Sequence, residues 1–279
     1  MPSAFCPLTA TFCLYPLWFN LYPLLYMPSL RLSIVIPAYN EAQRLGCTLE
    51  KISAYLLTQS YATELIVVDD GSTDSTPDLL RNFAASHAQM RVLRNQHNRG
   101  KGFTVRRGVL EARGDLVLFT DADLSAPIEE ADKLLAALET NRADAAVGSR
   151  ALDRGLIGVR QPWYREQAGR VFNLIVRAIT GLRIHDTQCG LKLFRSSAAR
   201  RAFELQRVTS FGFDPEVLFL IERLGGRVVE LPVRWNDNPA TKVHFLRDSI
   251  RMFLDLLALR WRWARGHYHS KPSQPGVAQ

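Results

Sequence analysis

The sequence predicts an α/β protein: a mostly parallel sheet flanked by helices, with an amphipathic helical extension at its C-terminal end. Three observations lead there. Short apolar runs rich in β-forming residues recur at residues 32–37, 64–69, 91–94, 116–119 and 144–148, each of strand length. The stretches between them are long enough for helices, and strands alternating with helices are the pattern of a doubly wound parallel sheet. The second and fourth runs end in acids, Asp69-Asp70 and Asp121-Ala-Asp123. In a parallel sheet the C-terminal strand ends share one edge, and open sheets bind ligands there.

Each element can be read in order. Residues 32–37 form the first strand, followed by the turn Ala38-Tyr39-Asn40-Glu41. A helix over about 41–57 follows from Leu45, Leu49, Ile52, Leu56 and Leu57 at helical spacing. After the strand at 64–69 comes Asp69-Asp70-Gly71-Ser72, and Ser72-Thr73-Asp74 can cap the next helix. The strand at 91–94 leads into a turn over 98–102, which opens a helix ending near Gly114. Pro127 follows the strand at 116–119 and begins a helix through Thr140. Beyond the fifth strand, residues 150–170 read as a basic loop and 171–179 as a helix. Residues 184–190 are a polar insertion before a strand at 191–194. A helix over 215–224, an alternating strand over 227–234 and a loop over 236–242 complete a domain expected to span 31–242. Residues 243–266 form the extension, where Ile250, Phe253, Leu254, Leu257 and Trp261 share helical spacing among arginines. That pattern suits a membrane-interface helix or a core-packed helix with a solvated basic face. Residues 267–279 are expected to be a disordered tail.

Composition narrows the partners. A net charge of +8 on 279 residues permits anionic partners: nucleic acid, membrane or phosphorylated substrate. No zinc-finger spacing, helix-turn-helix signature or aromatic RNA-reading motif is present, so nucleic acid is not expected. Cys6, Cys13, Cys47 and Cys189 form no C-x-x-C and read as reduced thiols. Residues 1–30 hold no charged side chain, are interrupted by Pro7, Pro16 and Pro23, and lack a basic leader. Met27-Pro-Ser repeats the opening Met1-Pro-Ser. The expectation is that residues 1–26 precede the true start, with a membrane anchor as the alternative; a spanning segment followed by Arg31 would keep the domain cytoplasmic.

Asp69, Asp70, Asp121 and Asp123 should therefore gather in one crevice, where their repulsion calls for a cation or donor groups. Asp121 and Asp123 offer hard oxygen ligands suited to Mg²⁺ or Mn²⁺ carrying a phosphorylated substrate. The order of motifs adds to this. Pro37-Ala-Tyr-Asn-Glu41, Val68-Asp-Asp-Gly-Ser72 and Asp121-Ala-Asp123 resemble family 2 glycosyltransferases of the GT-A fold. Val147-Gly-Ser-Arg150, Asp186-Thr-Gln-Cys-Gly190, Lys192-Leu-Phe194 and Phe213-Asp-Pro-Glu216 resemble its lipid-phosphate branch, the dolichyl-phosphate β-glucosyltransferases and their prokaryotic polyprenyl-phosphate relatives. The resemblance runs from about residue 32 to 262.

That resemblance implies an inverting, membrane-associated enzyme on the cytoplasmic face, moving a sugar from a nucleotide sugar, UDP-glucose, to dolichyl or polyprenyl phosphate. It implies that Pro37, Tyr39, Glu41, Asp69 and Asp70 hold the base and ribose. Asp121, Ala122 and Asp123 would face the diphosphate, with Asp121 and Asp123 as metal ligands and Lys101 and Lys242 as further cations. A phosphate acceptor is largely a dianion at neutral pH, so it needs cations more than a base. Arg150, Arg165 and Arg170 suit that need. Asp186, Asp123 and Arg150 are expected at the reacting centre, Asp214 and Glu216 as sugar contacts. The alternatives are a GDP-mannose-dependent enzyme, a transferase acting on a sugar hydroxyl, and a non-catalytic nucleotide-sugar-binding protein.

Overall fold

A computed structural model describes residues 30–238 and 245–268. The N-terminal segment, Lys242 and the last eleven residues lie outside the described residues. Seven strands form one sheet: β1 (Leu30–Ala38), β2 (Ala62–Asp69), β3 (Met90–Arg94), β4 (Leu116–Thr120), β5 (Ala145–Ser149), β6 (Leu191–Arg195) and β7 (Val228–Pro232). Their order is β3-β2-β1-β4-β6-β5-β7. Among the described residues, eight α-helices accompany them: α1 (Leu45–Leu57), α2 (Thr76–Ser86), α3 (Lys101–Glu111), α4 (Ala131–Thr140), α5 (Trp163–Thr180), α6 (Ser196–Leu205), α7 (Phe213–Arg223) and α8 (Phe245–Ala264).

The expected mostly parallel sheet is present. Only β6 runs against its neighbours, pairing antiparallel with β4 and β5. This one reversal matters for the site. The strands that point the same way end at a common edge, and reversed β6 starts there. The 186–190 loop therefore enters β6 beside the end of β4, and Arg150, just past β5, lies at the same edge. Asp121 N–H donates to Gly190 O at 3.2 Å across this junction.

Core packing explains why the central strands read as unbroken apolar runs. Both sheet faces are covered, so both sets of alternating side chains are buried. Leu32, Ile34 and Ile36 pack with Leu45, Leu49 and Ile52 of α1 and Leu134 and Leu138 of α4. Val35, Ile66, Val68 and Phe119 face the other layer, with Val105 and Val109 of α3 and Phe203 and Phe213 beyond.

Several boundaries differ from the sequence reading. α1 begins at Leu45 rather than Glu41 because residues 40–44 stitch two strand-end loops together. Asn40 N–H donates to Ser72 Oγ at 2.8 Å, Asn40 Oδ1 accepts from Thr73 N–H at 2.8 Å, and Glu41 N–H donates to Thr76 Oγ1 at 2.8 Å. Asn40 sits at φ +53°, a left-handed conformation that Asn tolerates. α5 starts at Trp163, within the expected basic loop. Trp163, Tyr164 and Arg170 are exposed on it, so its first turns carry no buried apolar period to read. α6 was not expected, since its Ser, Ala and Arg residues bury little beyond Ala199, Ala202 and Phe203. Of the tail expected over 267–279, residues 267 and 268 belong to the described structure. Tyr268 is 3% exposed and its hydroxyl donates to Glu216.

Candidate active site

A cleft of about 790 Å³ opens at the shared sheet edge. Pro37, Ala38, Tyr39 and Glu41 line it from the end of β1, Asp70 from β2, and Asn98 to Lys101 from the loop before α3. Asp121, Ala122 and Asp123 contribute from β4, Ser210 and Phe211 from the loop before α7, and Arg247, Asp248, Arg251 and Met252 from α8.

The two acids after β2 do different work. Asp70 faces the cleft and accepts from Arg99 N–H and Gly100 N–H, each at 2.9 Å, and from Asn95 Nδ2 at 2.7 Å. It thereby shapes the turn that presents Lys101, and Gly100 at φ +94° fits where a side chain would be strained. Asp69 does not line the cleft. It is buried, accepts from Ser72 N–H at 3.0 Å and pairs with Arg94 at 3.1 Å. Expected beside the nucleotide, it sits in the interior of the β2–α2 turn in this structure: consecutive strand residues point to opposite faces.

Asp121 and Asp123 share the cleft with two cations. Lys101 Nζ lies 2.7 Å from Asp121 Oδ1, and an Arg44 nitrogen 3.8 Å from Asp123 while also pairing with Glu41. Burial and the neighbouring Asp121 charge push the Asp123 carboxyl above its usual range. Burial opposes charge on Lys101, but Asp121 and Asp214 outweigh it and hold the ammonium above its ordinary pKa. Asp121 and Asp123 lie close enough to repel each other, a repulsion that a divalent cation between them would offset. No third His, Cys, Asp or Glu joins them among the described residues. Two carboxylates with open positions fit a Mg²⁺-type ion completed by substrate phosphate and water.

Gly190 explains how Asp121 is aimed. A Cβ at this position would lie 2.1 Å from Asp121 Oδ2. Because Asp121 can rotate away, Gly190→Ala should fold with stability within about 1 kcal/mol of wild type yet lose roughly tenfold or more in turnover, since small misplacements of reacting groups are costly. A thermal melt beside a rate assay separates these effects; wild-type turnover in a variant of wild-type stability would contradict this role for Gly190.

Two further ion pairs hold buried carboxylates at this end of the sheet. Asp186 accepts from Arg150 Nε at 2.6 Å, Arg150 Nη2 at 2.8 Å and Arg150 N–H at 3.0 Å. Burial opposes its ionisation, but Arg150 outweighs that and holds the carboxyl below its usual range. Asp186 is 2% exposed and its oxygens are filled, so it positions Arg150, whose guanidinium also lies 5.2 Å from the Trp235 ring centroid. Lys192 donates to Asp214 Oδ1 at 2.6 Å and Cys189 O at 2.5 Å. Burial pushes the Cys189 thiol up to about 12, an inert group at neutral pH.

The remaining expected residues separate by location. Glu216 is fully buried and accepts from Arg207 N–H, Val208 N–H and the Tyr268 hydroxyl. Expected at a sugar, it anchors the loop before α7 in this structure. Asp214 is buried under the cleft floor rather than exposed in it. Arg165 and Arg170 lie on α5, and Arg170 pairs with Glu166 at 2.9 Å; neither they nor Arg150 line the cleft. Among the described residues, the cations that line it are Arg44, Arg99, Lys101, Arg247 and Arg251. The sequence reading missed four of these. The signal was present for α8, where Arg247, Asp248, Arg251 and Met252 share one helix face by i, i+4 spacing. That helix is core-packed, but not through the apolar stripe that the sequence displays. Met252, Leu256 and Leu259 are buried, while Ile250, Phe253, Leu254, Leu257 and Trp261 are all exposed.

Comparison with known proteins adds to the geometry. The family model described as glycosyl transferase family 2 matches residues 33–203. A dolichyl-phosphate β-glucosyltransferase from Drosophila melanogaster is 38% identical over 86% of this chain and 77% of its own length. The Homo sapiens protein of that name is 32% identical over 86% and 78%. Among solved structures, glucosyl-3-phosphoglycerate synthase from Mycobacterium tuberculosis, in complex with Mn²⁺, UDP-glucose and glycerol 3-phosphate, superposes with TM-score 0.59 at 21% identity, covering 88% and 82% of the two chains. A mannosyltransferase from Pyrobaculum calidifontis in complex with GDP-Man and Mn²⁺ gives 0.56 at 22%, covering 90% and 67%. These structures share the GT-A architecture of the sheet.

Proposed function

The chain belongs to glycosyl transferase family 2, and from that premise we propose that it transfers glucose from a nucleotide sugar, UDP-glucose, to dolichyl or polyprenyl phosphate. One observation carries this reading: identity of 38% to a dolichyl-phosphate β-glucosyltransferase across 86% of the chain. The cleft supports it, because one edge holds both a carboxylate pair and a group of cations.

In this reading Pro37, Tyr39, Glu41 and Asp70 receive the base and ribose, and Asp121, Ala122, Asp123 and Lys101 face the diphosphate. Asp121 and Asp123 would hold Mg²⁺ or Mn²⁺, which stabilises charge on a departing diphosphate as a Lewis acid. A phosphate oxygen of the acceptor attacks the anomeric carbon from the face opposite the nucleotide. The new C1–O bond forms as the C1–O bond to the diphosphate breaks, and the electron pair leaves with the nucleoside diphosphate. The configuration inverts from α to β. The acceptor dianion has no proton to surrender, so no base is required. Arg99, Arg247 and Arg251 are the cleft cations placed to receive that phosphate. Arg150, fixed by Asp186, is near enough to Asp121 to feel its charge, and Arg165 and Arg170 belong to the outer basic face.

The lipid acceptor accounts for a second feature. α5 and α8 pack together, and both expose apolar side chains, Trp163, Val171 and Leu174 on one and Ile250, Leu254, Leu257 and Trp261 on the other. Exposed apolar stripes rimmed by arginine suit a membrane surface, and the cleft mouth formed by α8 adjoins them. No helix among the described residues is long and apolar enough to cross a membrane. Docking of this face, with the domain on the cytoplasmic side, would bring the lipid phosphate to the cleft.

A donor panel tests this. UDP-glucose, UDP-galactose and GDP-mannose are each supplied with Mn²⁺ and polyprenyl phosphate in anionic vesicles. Lipid-extractable β-linked glucose from UDP-glucose is the expected product, with the protein co-sedimenting with the vesicles. Transfer only from GDP-mannose would replace the donor, an α-linked product would overturn the inverting displacement, and absence of any lipid product would overturn the acceptor.

A further inference from the structure

Lys101 stands in an arrangement that contact with a diphosphate alone does not require. Its ammonium is 2.7 Å from Asp121 Oδ1. It lies 5.3 Å from the Phe119 ring centroid, and the ammonium of Lys192 lies 5.5 Å from the same ring. Asp214 bonds Lys192 at 2.6 Å and is one of the two carboxylates whose charge Lys101 feels most. From the cleft inward the charges therefore alternate: Asp121, Lys101, Asp214, Lys192.

An oxygen engaged by an ammonium at hydrogen-bond distance is not open to a divalent cation, and two cations at that spacing repel. The other Asp121 oxygen lies against Gly190, where a Cβ would be 2.1 Å away, so approach to it is restricted on that side. A metal ion arriving alone must expel Lys101 into a cleft already carrying Arg44 and Arg99. An ion arriving with a diphosphate brings phosphate oxygens that can take the ammonium. The lysine stem is flexible enough for that move, and Asp214 gives the ammonium a second carboxylate to lean on during it.

We propose that Lys101 is a resident counter-cation of Asp121 that yields its place only when the metal comes with the nucleotide diphosphate. This rests on the reading of Asp121 and Asp123 as metal ligands. The free protein then binds divalent ions weakly, and metal and nucleotide bind with strong mutual coupling. By linkage, each tightens the other by the same factor.

Mn²⁺ titration of the metal-free, nucleotide-free protein, read by electron paramagnetic resonance of free Mn²⁺, tests the proposal, followed by UDP titration at saturating Mn²⁺. In Lys101→Met, Mn²⁺ alone should bind about tenfold more tightly and UDP with Mn²⁺ about tenfold more weakly. A residue that merely held the fold would move both in one direction. Lys101→Gln, a polar replacement, is expected to behave alike and serves if the Met variant does not fold. Unchanged or weaker Mn²⁺ binding in the variants overturns the proposal while leaving the metal site standing. Mn²⁺ binding to wild type that Asp121→Asn does not alter overturns the metal site and the displacement together.

Discussion

Asp123→Asn should lower turnover about 10³-fold, roughly 4 kcal/mol of transition-state stabilisation, while leaving the fold intact. The reason is where charge develops. As the bond to C1 breaks, negative charge gathers on the nucleoside diphosphate, and the carboxylate pair is the part of the cleft suited to hold a divalent counter-charge against it. The amide keeps the size of the side chain and can still accept from Ser125 N–H, now 3.0 Å from Asp123 Oδ1. It removes only the charge. The fold should not suffer, and the direction of the shift says why. Burial and Asp121 raise the Asp123 pKa, so this group favours folding most below its unfolded value near ~3.9 and loses that contribution as pH rises through the folded value. At neutral pH its charge is held at some cost to stability, and the neutral amide relieves it. A melting temperature equal to or slightly above wild type, a rate near 10⁻³ of wild type, and little further loss on chelation are expected. Turnover within threefold of wild type would remove Asp123 from the metal site.

Such a trade of stability for chemistry is what made the site partly readable from sequence. Acids placed straight after buried strands are out of keeping with the packing around them, and both acidic pairs were visible on that ground. Their division of labour was not. Asp69 and Asp70 are adjacent in sequence, and the twofold alternation of a strand sends one into a turn and the other toward the cleft. Which one depends on the register of β2 against β1, where Asp69 lies opposite Ala38. Asp186 was visible within a polar insertion between apolar segments. Its partner Arg150 is thirty-six positions away, and only the reversal of β6 brings the two segments to one edge.

The α8 wall of the cleft lay further out of reach. Its place is set by long-range bonds: Gln188 Nε2 to Met252 Sδ at 3.1 Å and Ser210 Oγ to Asp255 Oδ2 at 2.5 Å. No local period encodes these. The apolar spacing of that helix was legible, but spacing alone assigns a stripe to the core by default. Here a second buried face, Met252, Leu256 and Leu259, takes the core, and the more conspicuous stripe is left outside. An amphipathic pattern gives the faces of a helix; it does not say which face meets the protein.

Lys192→Met should be the most damaging single change to stability among these residues, costing about 3–5 kcal/mol and lowering the melting temperature by roughly 10 °C. Lys192 is 2% exposed, and its ammonium is shared between Asp214 Oδ1 and Cys189 O. Removing it leaves the Asp214 carboxylate buried without its nearest counter-charge. Burial already raises the Asp214 pKa, and Lys192 is the largest influence opposing that rise. Without the lysine the folded value climbs further. A carboxyl whose folded pKa is raised favours folding below its unfolded value near ~3.9 and loses that contribution as pH rises. The deficit of Lys192→Met should therefore grow from pH 5 to pH 8, as seen in denaturant unfolding at both values. Lys192→Met with Asp214→Asn should regain much of the loss, because neither charge is then buried alone. Failure of the second substitution to rescue stability would mean that the stem of Lys192 and its bond to Cys189 O, rather than the ion pair, hold this region. Rescue of stability without rescue of turnover would place the pair in the positioning of Lys101 and Asp121, where a buried charge is kept for the geometry it enforces and not for the stability it adds.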